Sequence, residues 1–168
     1  MPSVLDDRTV FLVPPCDSDA DGELTVQGAR QSRALGDAFG DVPLMAVYTG
    51  PGQAERDTGE AVAQRHGLVV RRKPGLVVHR GELLSRAVHR ITEVFETMAR
   101  AGPGRTILVV AEVAVARIVL SHCWDLSPSP DDQLQLGPGS ITEITVAPSR
   151  YVVARLNDTS HLRPSTPA

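Results

Sequence analysis

Cysteine is scarce in this chain. There are two, Cys16 and Cys123, too far apart for a metal-ligand pair and too few for a disulfide framework, so two free thiols are expected. Long apolar runs are missing as well. No stretch approaches the roughly 18 residues that a membrane-spanning helix needs, and Met1 to Asp7 is acidic with no hydrophobic segment, unlike a signal peptide. A strong excess of either charge is also lacking: 17 Lys and Arg against 20 Asp and Glu give a net charge of -3, with no general attraction to nucleic acid or anionic membranes. These absences point to a cytoplasmic protein whose partners are small molecules or other proteins. What is present is 168 residues, 42% of them hydrophobic, which suits one domain over 1–168 with flexible ends at 1–8 and 163–168.

Short apolar strands alternate with helices. The run Val10 to Val13 stops at Pro14-Pro15, which cannot continue a sheet ladder because proline has no amide donor. After an aspartate-rich loop, Thr25 is a candidate N-cap for a helix reaching Phe39 with Ala34, Leu35 and Ala38 on its apolar side. Leu44 to Tyr48 reads as a strand, Gln53 to Arg65 as a helix closed by Gly67, and Leu68 to Arg71 as a third strand, with Arg71, Arg72 and Lys73 on a solvated edge. Leu84, Ala87, Val88, Ile91, Val94, Phe95 and Met98 recur at helical steps until Ala101 to Gly104 breaks the pattern. The β-branched run Thr106 to Val110 suits a strand buried on both faces, and an apolar helix follows to Trp124. A proline-rich link, Ser127 to Pro130, leads to a closing hairpin, Ser140 to Val146 and Tyr151 to Leu156. The order predicts an α/β fold, a three-layer α/β/α sandwich with a mostly parallel central sheet.

Several strings in this order carry a resemblance. Leu24-Thr25 with Gly28 and Gln31, Val47 to Pro51, Gly81-Glu82, Ile107 to Val110, Gly139 to Thr142 and Leu156 to Leu162 resemble, over about residues 9 to 162, the histidine phosphatase superfamily, which is phosphoglycerate mutase-like in fold. The resemblance implies a phosphohistidine intermediate clamped by two arginines and a second histidine, with a carboxylic acid protonating the leaving group. In this sequence the first arginine and the nucleophilic histidine fall on Pro14 and Pro15, the helix arginine on Ala54 and the second histidine on Glu112. Only Val77 to Arg80 lies between Leu76 and Gly81, where the family's acid-bearing loop belongs. A phosphoryl group needs fixed donors, and phosphohistidine chemistry needs an activatable nucleophile. The expectation is therefore a member of the superfamily that is not a histidine-dependent phosphatase or mutase and needs no cofactor.

The former pocket is expected to involve Pro14, Pro15, Cys16, Ala54, Arg56 and Arg80 in ligand binding. Glu112, between an apolar strand and an apolar helix, is expected to be partly desolvated and to serve as acid or base, with His79 assisting; the alternative is an ion pair with Arg56, Arg80 or Arg117. Cys16, beside aspartates, reads as a passive thiol. Asp17, Asp19 and Asp21 reproduce the start of an EF-hand loop, but Gly28 stands where the closing glutamate belongs, so a solvated acidic loop is favoured over a calcium site. His66, His89, His122 and His161 read as helix-end, surface or tail residues, and Tyr48 and Trp124 as packing residues, with Tyr48, one residue from a strand end, also placed to border a ligand. The expected role is binding or transforming a non-phosphorylated small molecule, such as an isomerisation, cyclisation or elimination in specialised metabolism. The alternative is a non-catalytic scaffold with a protein partner or a second copy of itself.

Overall fold

The computed structural model describes residues 7–101, 105–129 and 133–164. Its strands are β1 (Arg8–Val13), β2 (Ala46–Thr49), β3 (Val70–Arg72), β4 (Thr106–Val110), β5 (Ile141–Val146) and β6 (Tyr151–Asp158), and its α-helices are α1 (Val26–Ala38), α2 (Gln53–Ala63), α3 (Leu84–Glu96) and α4 (Val113–Cys123). The strands make one sheet in the order β3-β2-β4-β1-β5-β6. The first four are parallel, β5 runs antiparallel to β1, and β6 antiparallel to β5. No helix among the described residues is long and apolar enough to cross a membrane.

Alternation along β1 divides the core. Val10 and Leu12 face a cluster that includes Ala87, Ile91 and Phe95 of α3 and Val115 and Val119 of α4. Phe11 and Val13 face Leu35 of α1 and Val62 of α2. Two helices therefore cover each face, as the alternating pattern predicted. Phe11 and Phe39 meet edge to face at 5.0 Å, a geometry that adds about 1 kcal/mol to burial.

Local chemistry fixes the element ends. Thr25 caps α1, its Oγ1 accepting the Gly28 amide at 3.0 Å. A Cβ on Gly28 would come within 1.9 Å of the Asp17 carbonyl oxygen, so only glycine lets α1 start against the loop leaving β1. The third strand begins later than expected, at Val70, because the Leu68 amide turns back to the Ala63 carbonyl at 3.0 Å and closes α2. Helix α3 continues into a π-helical turn, Thr97–Ala101, that buries Met98 and Ala99. Strand β1 starts at Arg8, so order reaches into the expected flexible N-terminal segment. Residues 1–6, 165–168, 102–104 of the expected helix stop, and Pro130 of the expected link lie outside the described residues.

The two ends of the sheet differ in polarity. At the end where β1 begins, Glu96 Oε1 accepts from His122 Nε2 at 2.6 Å and from the Tyr151 hydroxyl, and Oε2 accepts from Arg100 Nε at 2.7 Å. Arg100 lies over the Tyr151 ring at 4.8 Å. Burial would raise the Glu96 pKa, but its three donors outweigh burial and lower it. This cluster ties α3, α4 and β6 together. The sheet's outer strands are also distinct: β3 is three residues long with Arg71 and Arg72 exposed, and β6 pairs with β5 irregularly around Glu143.

Candidate functional site at the strand ends

In parallel α/β sheets ligands bind beyond the carboxyl ends of the strands. Here three ends are level, with Val13 opposite Val110 and Thr49 on the other side of Val110. The loops that leave them are tied together: Ala111 N–H donates to the Val13 carbonyl at 3.1 Å, Gly50 N–H to Val110 at 3.0 Å and Gly139 N–H to Pro14 at 3.1 Å. Pro14 is buried where β1 leaves the sheet, so its missing amide costs no ladder bond. Cys16 is buried, and its amide donates to Thr58 Oγ1 at 3.0 Å.

The carboxylate at the centre of this region is Glu55, a residue not among those singled out in the sequence. It sits at the third position of α2 and is 2% exposed. Its Oε1 accepts the amide of Gly52, the N-cap of α2, at 3.1 Å; Gly52 has no side chain, so only this returning half of a capping box exists. Oε2 lies against Gly50, where a Cβ would fall 1.9 Å away, and has no partner in hydrogen-bonding geometry. Burial pushes the Glu55 carboxyl up to about 7; the Gly52 amide pulls it back, the Glu112 carboxylate adds to the rise, and the nearby Glu112 and Gly50 amides lower it slightly. Glu112 is the N-cap of α4. The Glu55 carboxyl thus lies by the amino-terminal ends of α2 and α4, the places in such a fold that favour an anion.

Several expected site residues fall elsewhere or behave differently. Glu112 is exposed rather than desolvated, because its backbone is extended at the N-cap and turns the side chain out of the strand-helix junction. The arginines expected to pair with it do not do so among the described residues: Arg56 is exposed and bonds Glu60 at 3.0 Å, Arg117 Nε donates to the Leu134 carbonyl at 2.8 Å, and Arg80 is exposed. His79 is exposed, and its contact is a backbone one, its amide donating to Glu82 Oε2 at 3.0 Å. Ala54 is buried on α2 beside Glu55. The Cys16 thiol is raised to about 11, first by burial and then by Asp17, with the Thr58 hydroxyl opposing.

The aspartate loop is occupied with itself. Asp17 Oδ2 accepts from the Thr25 hydroxyl, and Asp19 Oδ1 accepts the amides of Asp21 at 2.9 Å and Glu23 at 3.0 Å. Among the described residues no three His, Cys, Asp or Glu side chains are grouped to hold a metal ion. Among the described residues four buried polar atoms lack a partner, Thr49 Oγ1, Glu55 Oε2, Ser140 Oγ and His161 Nδ1. All belong to segments that meet at the ends of β1 and β2: Ser140 follows Gly139, and His161 Nε2 lies 2.9 Å from the Gly139 carbonyl. An orphaned buried polar group costs roughly 1–3 kcal/mol.

A family model for the histidine phosphatase superfamily (branch 1) matches residues 15–77 and 71–159. The chain belongs to that superfamily. No curated protein sequence matches it. YhfR of Bacillus stearothermophilus superposes with a TM-score of 0.83 at 18% identity, over 92% of this chain and 99% of that one. The alpha-ribazole phosphatase of Shigella flexneri gives 0.79 at 15% identity, over 89% and 96%, and a phosphoglycerate mutase of Bacillus anthracis gives 0.79 at 14%, over 94% and 96%. At such identities the likeness establishes the fold, and the phosphoglycerate mutase-like sandwich expected from the sequence is the one observed.

Proposed function

We propose that this chain is a member of the superfamily that has given up phosphohistidine chemistry and acts on, or binds, a non-phosphorylated small molecule. The observation that carries the reading is Glu55. The amide ends that would attract a phosphoryl group are faced by the protein's own carboxyl, which leaves no space against Gly50 and repels a second anion. The neighbouring positions supply no substitute. Pro14 and Pro15 have neither nucleophile nor side-chain donor, Ala54 has none, and the Cys16 thiol is buried and held protonated.

The test is a thermal-unfolding series with orthovanadate and inorganic phosphate, together with hydrolysis of p-nitrophenyl phosphate. We expect no stabilisation and no turnover above background. A ligand at a hundred times its dissociation constant would add about 2.7 kcal/mol, or roughly 5–10 °C for a domain of this size; such a shift with vanadate would overturn the reading.

One observation favours a catalytic form of the same proposal. A carboxyl with a pKa near 7 stands beside the exposed Glu112, a pair able to pass a proton between interior and surface at neutral pH. In that form Glu112→Gln removes turnover of the eventual substrate without weakening its binding.

A further inference from the structure

The geometry points to a second ligand site, a cavity between the first turns of α3 and α4 that takes a compact apolar molecule carrying one carboxylate. This rests on the reading that the chain handles a non-phosphorylated small molecule, and it names where and of what class. The cavity has a volume of about 310 Å³, within the range of roughly 300–1,000 Å³ that encloses small ligands. Val78, Leu84, Ile118 and Pro128 make its apolar wall, and Arg117 and Glu82 are its charged groups.

The two charges differ in availability. Both oxygens of Glu82 are engaged by Arg90, and Oε2 also accepts the His79 amide at 3.0 Å. Arg90 is itself anchored, donating to the Gly75 carbonyl at 3.2 Å and to the Val77 carbonyl. Glu82 is thus neutralised by the protein. Arg117 is different: its Nε bond to the Leu134 carbonyl fixes the guanidinium plane, and among the described residues it has no ion-pair partner. Among the described residues the wall therefore presents one oriented, uncompensated positive group in an apolar surround. A guanidinium fork matches the two oxygens of a carboxylate. A dianionic phosphate would need more donors than this cavity offers, and a neutral apolar molecule would leave the guanidinium desolvated without compensation.

The experiment is calorimetric titration of the full chain with octanoate and 4-phenylbutyrate, their primary amides, and phenyl phosphate. Saturable binding of a carboxylate is expected, with its amide at least tenfold weaker. Arg117→Gln should weaken the carboxylate by about ten- to a hundredfold while leaving the amide unchanged. Ala114→Trp, at an exposed helix position that also lines the cavity, should block both probes with the circular dichroism spectrum retained. Absence of carboxylate binding at millimolar concentration, binding indifferent to both substitutions, or preference for phenyl phosphate would each overturn the assignment. The vanadate series reports separately: stabilisation by vanadate would sink the non-phosphatase reading even with the carboxylate results as expected, and silence there with no carboxylate binding would sink this site alone.

Discussion

Glu96 and Glu55 lie at opposite ends of one sheet, and their surroundings are opposite too. Glu96 is only partly buried, yet accepts hydrogen bonds from His122, Tyr151 and Arg100, so its charge is stabilised and its pKa falls. Glu55 is almost wholly buried, has one hydrogen-bonding amide and one orphaned oxygen, and its pKa rises. The first arrangement is what a fold needs to fasten two helices to an edge hairpin. The second weakens the fold where other members of such folds take up ligands. The contrast separates a carboxylate kept for structure from one whose retention structure does not explain.

The sharpest way to break this contrast is to push Glu55 out of its niche. Gly50→Ala places a methyl group 1.9 Å from Glu55 Oε2 and 2.8 Å from the Leu76 carbonyl oxygen. We expect a loss of about 3–4 kcal/mol, a fall in Tm of roughly 6–16 °C, and partial recovery in the Gly50→Ala/Glu55→Ala double variant. Full stability in the single variant would mean that Glu55 does not rest against Gly50.

The next test uses pH. The folded-state pKa of Glu55, about 7, exceeds its unfolded value of 4.5, so between these values the folded protein holds more protons than the unfolded chain. Its contribution is fully present below pH 4.5 and is lost as pH rises through 7, on the order of 3 kcal/mol in all. His161, whose pKa burial lowers, works in the opposite sense, losing stability as pH falls, so the informative quantity is the difference between wild type and Glu55→Gln. That difference should shift in favour of the variant from pH 5 to pH 8 in urea denaturation. A flat difference would refute the desolvated carboxyl.

A smaller effect is expected at the other end. Glu96→Gln keeps the shape but removes the charge that Arg100 and His122 share, and because the cluster is partly exposed we expect a loss of about 1–2 kcal/mol at pH 7. Since the Glu96 pKa is lowered, the deficit should shrink as pH falls below the ordinary carboxylate range, as measured by chemical denaturation. The smallest effect concerns the thiols. Cys16, raised to about 11 by burial, and Cys123, raised to about 12 by burial with Glu96 adding, should resist aromatic disulfide reagents at pH 8 until the chain unfolds.

Much of the fold was legible from periodicity and punctuation. The run Thr106 to Val110 is β4 to the residue, Thr25 is the N-cap of α1, and Gly67 ends the second helical stretch with a φ of 63°. The site was less legible. Glu55 stands in Gln-Ala-Glu-Arg-Asp, a charged string that reads as a solvated helix face, and its burial arises only where the first turn of α2 tucks under the Gly50 backbone. A glycine N-cap followed three residues later by glutamate, with another glycine just ahead, was the available signal. Glu112 misled for the converse reason. Apolar neighbours on both sides suggested burial, but an N-cap residue leaves the helix axis, and its side chain follows the backbone outward. The cavity beside Arg117 could not be foreseen at all, since its wall joins residues from 78 to 128 that share no sequence pattern.

The sheet's outer strands have a consequence of their own. An open ladder of amides and carbonyls invites a second chain to add a strand, the route to fibres and swapped dimers. Here one rim, β3, is three residues long and carries two exposed arginines, and the other, β6, carries Arg155, which holds the Glu143 carboxylate at 3.1 Å where the pairing of β6 with β5 turns irregular. Charge on both rims, the shortness of β3 and the irregular pairing beside β6 each count against a second sheet adding edge to edge.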